Sequence, residues 1–446
     1  MADKPRSRPQ KRAPTGRLER FARLSGAATG AAARIAGERL VERFLPQEKR
    51  QASRQRALTK SGQQIVRVMG DLKGAAMKIG QMMSINIDEL PPEMQQALST
   101  LQRSAPAMEY RMVVEQIETA LDRPISNLFR LFDPEPVGAA SIGQVHRAET
   151  RAGRAVAVKV QYPGIAATID SDVRNLASLL TMAGVVTDRE RIDTYVDEVR
   201  AILAAESDYL READNLLEYR RLLARYPDLV VPAPDLERSA TTVLTMDFIE
   251  GTKLDDHLAA LPVGAERDRL AERFVTLMFS MLHELHVLHA DPHPGNFLVT
   301  PEGRIGMLDF GCVRRFPAAF DAGIIELLQS MWTGDAERLA AAYRSLGFGG
   351  GAQDRHDPEL LYELSEMILR PFLDDEPFHF GGWEVTWPVK RFMLEHLELM
   401  TFTPPREFLL FMRVLAGLRG LLVKLDVTFN ACRMAREFAA LPSSAP

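Results

Sequence analysis

The sequence predicts an α+β fold in two lobes: a small antiparallel sheet, a linker, and a mostly helical C-lobe. Three observations point there. Short strand-type segments broken by Pro136, Gly138, Gly143 and Gly153 cluster after Leu128, the pattern of hairpin turns in a compact sheet. A further apolar run, Thr242–Phe248, leads into Ile249, Glu250 and Gly251, which read as the linker. Beyond Gly251 the hydrophobic period is mainly that of helices. At 446 residues, 46% hydrophobic and 26% charged, the composition is that of an ordinary globular protein, and the length suffices for two or more packed units.

Four segments follow. Residues 1–50 form a basic arm and amphipathic helix, 51–125 a helical extension, 126–250 the sheet-bearing lobe and 251–446 the helical lobe. Residues 1–16 are rich in Pro, Arg and Lys and are predicted to be disordered. In Arg17–Leu45, residues Leu18, Phe21, Leu24, Ala28, Ala31 and Ile35 fall on one helical stripe. It reads equally as a membrane-surface helix or as an ordinary docking helix. A second helix spans Ser53–Asn86, another opens at Pro91-Pro92, and Met108–Leu121 gives one more. Residues 1–60 hold 16 Lys and Arg against 5 Asp and Glu, a net +11, which leaves the remainder at −16. A basic arm on an acidic body implies an anionic partner surface. No aromatic interleaving supports nucleic acid, which leaves the membrane.

Strands are predicted at Phe129–Phe132, Gln144–Ala148 and Ala155–Val160, and helices at Ile169–Ala183, Arg189–Ala205 and Asp208–Arg225. After the linker, a helix over Ala265–Val287 leads into a polar loop. Phe297–Val299 and Ile305–Leu308 then flank a turn at Gly303. The longest apolar stretch, Leu409–Leu425, contains Arg413, Arg419 and Lys424, so it reads as a buried or amphipathic helix rather than a membrane span. Cys312 and Cys432 have no metal-type spacing and imply neither a disulfide framework nor zinc, so a reducing compartment is expected.

The chemistry concentrates in His289-Ala290-Asp291-Pro292-His293-Pro294-Gly295-Asn296 and Leu308-Asp309-Phe310-Gly311. Asp291 and Asn296 stand five positions apart, the step that separates the proton-accepting Asp from a magnesium-binding Asn in protein kinases, and Asp309 takes the place of the second metal ligand. Two His, an Asp and an Asn also resemble a metal centre superficially. The hard oxygen donors fit magnesium and phosphate better than zinc. Upstream, Ala155-Val156-Ala157-Val158-Lys159 ends a strand in a Lys suited to bridging phosphates, a signal that is weak alone and gains from its position. Glu206 and Glu212 are both candidates for its acidic partner. Where a kinase carries a Gly-rich loop, this chain has Gly138-Ala139-Ala140-Ser141-Ile142-Gly143. Alanine lacks glycine's freedom at positive φ, so a stiffer loop is expected.

Together, Gly138–His146, Ala155–Lys159, Glu206–Asn215, His289–Asn296 and Lys78-Ile79-Gly80-Gln81 resemble the AarF/UbiB family of atypical kinases, over about residues 50–425. The resemblance implies a two-lobed protein-kinase-like fold with a helical N-terminal extension. It implies ATP and Mg2+ as cofactors, with Asp291, Lys159 and Glu212 catalytic and Asn296 and Asp309 holding metal. The implied nucleotide-binding set is Gly138, Ala139, Ala140, Ser141, Lys159, Met246 and Phe248. Lys78 and Gln81 on the KxGQ helix are implied to cover the side where a protein substrate would enter, and opposite charge makes a contact between Lys78 and the carboxylates of the ExD motif, Glu206 and Asp208, physically reasonable. Membrane lipid or quinone intermediates, quinone-biosynthesis proteins and a second copy of the chain are the implied partners. The implied place is the cytoplasmic side of the inner membrane, peripherally, or the mitochondrial matrix in a eukaryote.

Two departures stand out. The family's loop usually begins with Ala where this chain has Gly138, which is expected to loosen it. The chain also ends at Leu441–Pro446 without the transmembrane pair of some bacterial members, so it resembles the soluble ones. An ATPase or kinase of quinone metabolism is the leading expectation. A nucleotide-binding regulator with little catalysis and a small-molecule phosphotransferase are the alternatives.

Overall fold

The computed structural model describes residues 108–140, 142–165, 200, 203–204, 206–289, 294–311, 313–349 and 356–440. The helices expected before Met108, the one at Ile169–Ala183 and most of Arg189–Ala205 lie outside the described residues.

Two compact units emerge. The first comprises the described residues up to Tyr209 together with Arg238–Thr245. It opens with helix α1 (Tyr110–Leu121), which buries Val113 and Ile117. Strands β1 (Phe129–Ala140), β2 (Gly143–Thr150) and β3 (Ala155–Gln161) follow as antiparallel neighbours. Sequence reasoning ended β1 at Phe132, yet the strand runs on through Pro136 and Gly138. The reason is its place at the edge of a four-stranded sheet, beside β2 and then β3 with Val243–Asp247 beyond, where a missing N–H costs no ladder bond. Register shifts between Phe132 and Pro136 and between Pro136 and Gly138 absorb the irregularity. The central strand β3 is buried along nearly its whole length, with Val156, Val158 and Val160 fully enclosed. Such an apolar run, without alternation, is what a strand covered on both faces requires.

The second unit comprises Leu210–Glu237 and the chain from Met246 onward. Helix α2 (Tyr209–Leu222) supplies its first element, followed by the short strand β4 (Leu229–Val230). Strand β5 (Val243–Asp247) closes the first unit's sheet and carries the chain across. Then come β6 (Thr252–Lys253), α3 (Leu254–Ala260), α4 (Ala265–Leu285), β7 (Val287–His289), β8 (Phe297–Val299), β9 (Ile305–Met307) and β10 (Val313–Arg315). Strands β4-β9-β8-β6 form one small sheet, and β7 pairs with β10.

The rest is helical: α5 (Ala318–Thr333), α6 (Ala336–Ser345), α7 (Pro358–Leu369), α8 (Thr386–Glu395), α9 (Arg406–Leu425) and α10 (Ala431–Ala440), with a two-stranded ribbon of β11 (Phe378–His379) and β12 (Thr428–Phe429). Helix α9 buries Phe411, Val414, Leu418, Leu421, Leu422 and Leu425, the 3.6-residue stripe of an amphipathic helix. Its Arg419 donates to the Trp383 carbonyl at 3.1 Å. Between α4 and α5, His283 Nδ1 lies 2.9 Å from Asp321 Oδ2, and burial still raises the Asp321 carboxyl above the usual range against the pull of that histidine. Among the described residues no helix is long and apolar enough to cross a membrane.

Candidate functional site

In the first unit, β1 and β2 form a hairpin whose closed end holds the expected phosphate-contacting residues. Gly138, Ala139 and Ala140 lie opposite Val145, Gln144 and Gly143. This end is therefore ladder rather than free loop, which accounts for the stiffness expected of it. It also corrects the expectation for Gly138. That residue is held in the strand, its φ is not left-handed, and a Cβ placed on it meets nothing within 4 Å. Its extra freedom is not used, so it does not loosen the hairpin. The glycine that matters is Gly143, which the sequence marks only as a strand breaker at the end of the loop. A Cβ there would stand 2.3 Å from the Val160 carbonyl oxygen and 2.9 Å from the Tyr209 hydroxyl.

Lys159 sits on β3 opposite Val145 and is only 6% exposed. Its Nζ lies 5.0 Å from the centre of the Tyr209 ring, a cation–π distance that orients the ammonium group. Two residues on, the buried Gln161 donates from Nε2 to the Ser207 carbonyl at 2.9 Å. That bond ties the ExD segment to the end of β3. Within the segment Glu206 is buried and Asp208 half-buried.

The first unit also contains a polar network at its N-terminal edge. Gln144 Oε1 accepts from Met108 N at 2.7 Å, and Gln144 Nε2 donates to Met108 O at 3.5 Å. The same Nε2 lies 2.7 Å from His146 Nε2, while His146 Nδ1 lies 2.8 Å from the Asp133 carbonyl. A carbonyl only accepts, so Nδ1 carries the proton and Nε2 accepts from Gln144. Burial lowers the His146 pKa, against the pull of the Asp133 carbonyl and of the Asp133 and Glu135 carboxylates.

In the second unit, helix α4 ends where His286 takes a left-handed φ of 51°, turning the chain into β7. His289 at the end of β7 pairs opposite Val313 of β10. In the β8–β9 hairpin, Phe297 lies opposite Met307, and one further bond runs from Leu308 N to Asn296 O at 2.9 Å. The hairpin thereby closes the sequence gap between Asn296 and Asp309 and delivers both at its open end. Its turn is at Gly303, φ 78°, a conformation that favours glycine.

Asp309 is half-buried, and its Oδ1 accepts from Gly311 N at 2.9 Å, which sets the carboxylate's rotamer. The fully buried His289 ring donates from Nε2 to the Asp309 carbonyl at 2.6 Å. Phe310 N donates to Glu212 Oε1 at 3.3 Å, and Asn215 Nδ2 donates to Phe310 O at 2.8 Å. Glu212 is 3% exposed and lies in the first turn of α2. The Phe310 ring is fully buried against Tyr219, 5.5 Å between centroids, and burial pushes the Tyr219 phenol up.

Met246 is buried in β5, bridged through backbone to Pro234, and Phe248 follows the strand half-buried. A carboxamide and a carboxylate at one hairpin end are hard oxygen donors. Completed by phosphate and water oxygens, they suit Mg2+ rather than zinc. Ser141, Asp291, Lys78 and Gln81 lie outside the described residues.

A model of the ABC1 atypical kinase-like domain matches residues 100–343. The chain belongs to this family of atypical kinases. The AarF/UbiB resemblance read from the motifs is thereby borne out, and so is an α+β kinase-like fold. The mitochondrial atypical kinase coq-8 of Caenorhabditis elegans is 31% identical over 93% of this chain and 56% of its own length. The mitochondrial atypical kinase COQ8B of Danio rerio is 31% identical over 84% of this chain and 60% of its own. The chain thus spans little more than half the length of these relatives. Among solved structures, the Mycobacterium tuberculosis protein Rv3197, determined in complex with erythromycin, superposes with a TM-score of 0.61. It is 26% identical and covers 84% of this chain and 95% of its own.

Proposed function

We propose that this protein binds Mg-ATP and acts as an atypical kinase or ATPase that supports quinone biosynthesis at a membrane surface. The observation that carries the reading is the β8–β9 hairpin, which holds Asn296 and the Asp309 carboxylate at one end through the Leu308–Asn296 backbone bond. Phosphoryl transfer asks a protein mainly for positioning and charge neutralisation, and Mg2+ supplies neutralisation at the phosphate oxygens when bound. Asn296 and Asp309 hold the ion. Lys159, buried with its ammonium over Tyr209, contacts the phosphates, and Glu212 is the acidic partner that the family resemblance implies for it. Asp291 accepts the proton of the attacking hydroxyl or water. Gly138, Ala139, Ala140 and Ser141, with Met246 and Phe248, are the nucleotide-binding residues that the family resemblance implies.

Support for the quinone link comes from family membership and from relatives that bear the coq-8 and COQ8B names. Support for the membrane surface comes from the +11 charge of residues 1–60. The test is quinone profiling of a deletion strain complemented with wild type or with Asp309→Asn. Quinone should fall in the deletion and recover only with wild type. Unchanged quinone in the deletion would separate this chain from quinone metabolism.

A further inference from the structure

Three side chains along one face of α2 converge on a single residue of the metal-ligand segment. Glu212 takes the Phe310 N–H, Asn215 gives a hydrogen bond to the Phe310 carbonyl, and Tyr219 packs on the Phe310 ring. Positions 212, 215 and 219 fall on one helical stripe. Glu212 and Asn215 occupy the donor and the acceptor of one residue, as a neighbouring strand would. On the preceding peptide, the Asp309 carbonyl is already held by His289 at 2.6 Å. The peptides on both sides of Phe310 are therefore fixed. Rotating the Asp309 carboxylate away from Asn296 through its backbone requires the α2 contacts to break.

The geometry points to Asn215 as a positioning residue for the metal ligand. It acts through the Phe310 carbonyl, keeping the Asp309 backbone in the conformation in which the carboxylate meets Mg2+. Glu212 has a role in the phosphate-binding pair. Asn215 has none there, and its half-buried amide is spent on Phe310. The inference rests on the Mg-ATP reading and extends it: metal affinity is tuned by a helix that contributes no metal ligand.

The test uses the full chain and a fluorescent ATP analogue, with its affinity measured in EDTA and in Mg2+. The readout is the gain in affinity that Mg2+ brings, which does not depend on turnover. Asn215→Asp keeps the shape but replaces the donor with an acceptor facing a carbonyl, and Asn215→Ala removes the group. In both, the Mg2+ gain should shrink about 5–10-fold, the size of one lost buried hydrogen bond, while affinity in EDTA stays within about twofold. A thermal melt reports folding separately, and a purely structural Asn215 would lower the midpoint without touching the Mg2+ gain. Asp309→Asn is the control. If it abolishes the gain and both Asn215 variants retain it, the positioning role is wrong and the Mg-ATP reading stands. If Asp309→Asn also retains the gain, or wild type shows none, the Mg-ATP reading fails and takes this inference with it.

Discussion

Two hairpins carry the candidate chemistry, and they use opposite ends. The β1–β2 hairpin offers its closed end, where Gly138, Ala139 and Ala140 still sit in the ladder opposite β2. The β8–β9 hairpin offers its open end, and its turn at Gly303 is remote from Asn296 and Asp309. The difference follows from what each must present. In the proposed reading, phosphate oxygens would be met by backbone that lies close and still, which a tight ladder end provides. A metal would need side chains from two chain segments side by side, and the open end brings Asn296 and Asp309 together just beyond the two strands. Glycine accordingly does different work in each. Gly303 supplies a left-handed φ, and Gly143 supplies the absence of a Cβ against Val160 and Tyr209.

The contrast can be broken most severely at the open end. Asp309→Asn should reduce Mg-dependent ATP turnover by more than the roughly 100-fold that loss of an outer-shell partner can cost. A steady-state phosphate-release assay measures this, and turnover within tenfold of wild type would refute the ligand role. At the closed end, Gly143→Ala should destabilise the protein by about 1–3 kcal/mol through overpacking against the Val160 backbone, read as a shift in the urea midpoint.

A third perturbation is pH. His146 is held neutral in the folded state, so its folded pKa lies below the ordinary 6.5. The unfolded chain therefore binds the proton first. Stability is full above about pH 6.5 and falls as pH drops toward the folded value, by at most about 1.4 kcal/mol per pH unit for one proton. Urea unfolding at stepped pH, compared with His146→Gln, checks it; an unchanged slope in the variant would remove His146 as the cause. The smallest effect is expected at Gly138→Ala. Open space and a strand φ predict a stabilisation of about 0.4–1 kcal/mol, whereas a loss of stability would restore a need for glycine there.

Local signals made much of this legible. Asn296 and Asp309 could be assigned to one site because the Asp291–Asn296 step and the Asp309-Phe310-Gly311 run match the spacing of kinases, and the short strands around Gly303 already describe a hairpin. Helix α9 could be read through its arginines because its apolar residues keep the helical period. Pro136 misled because whether a proline interrupts a strand depends on edge or centre, and neighbours in space decide that. Gly143 and Asn215 were missed for a related reason. Their constraints come from Val160, Tyr209 and Phe310, residues remote in sequence. A glycine that must be small looks, in a single sequence, like one that merely turns.

Gln144 offers Met108 both halves of a peptide's hydrogen bonding, 2.7 Å to its N–H and 3.5 Å to its carbonyl. Mechanically this is a mooring point. Tension that reaches Met108 loads both bonds to that one side chain. It is borne by the strand that begins at Gly143, so a pull from the N-terminal side is felt first at the closed end of the hairpin.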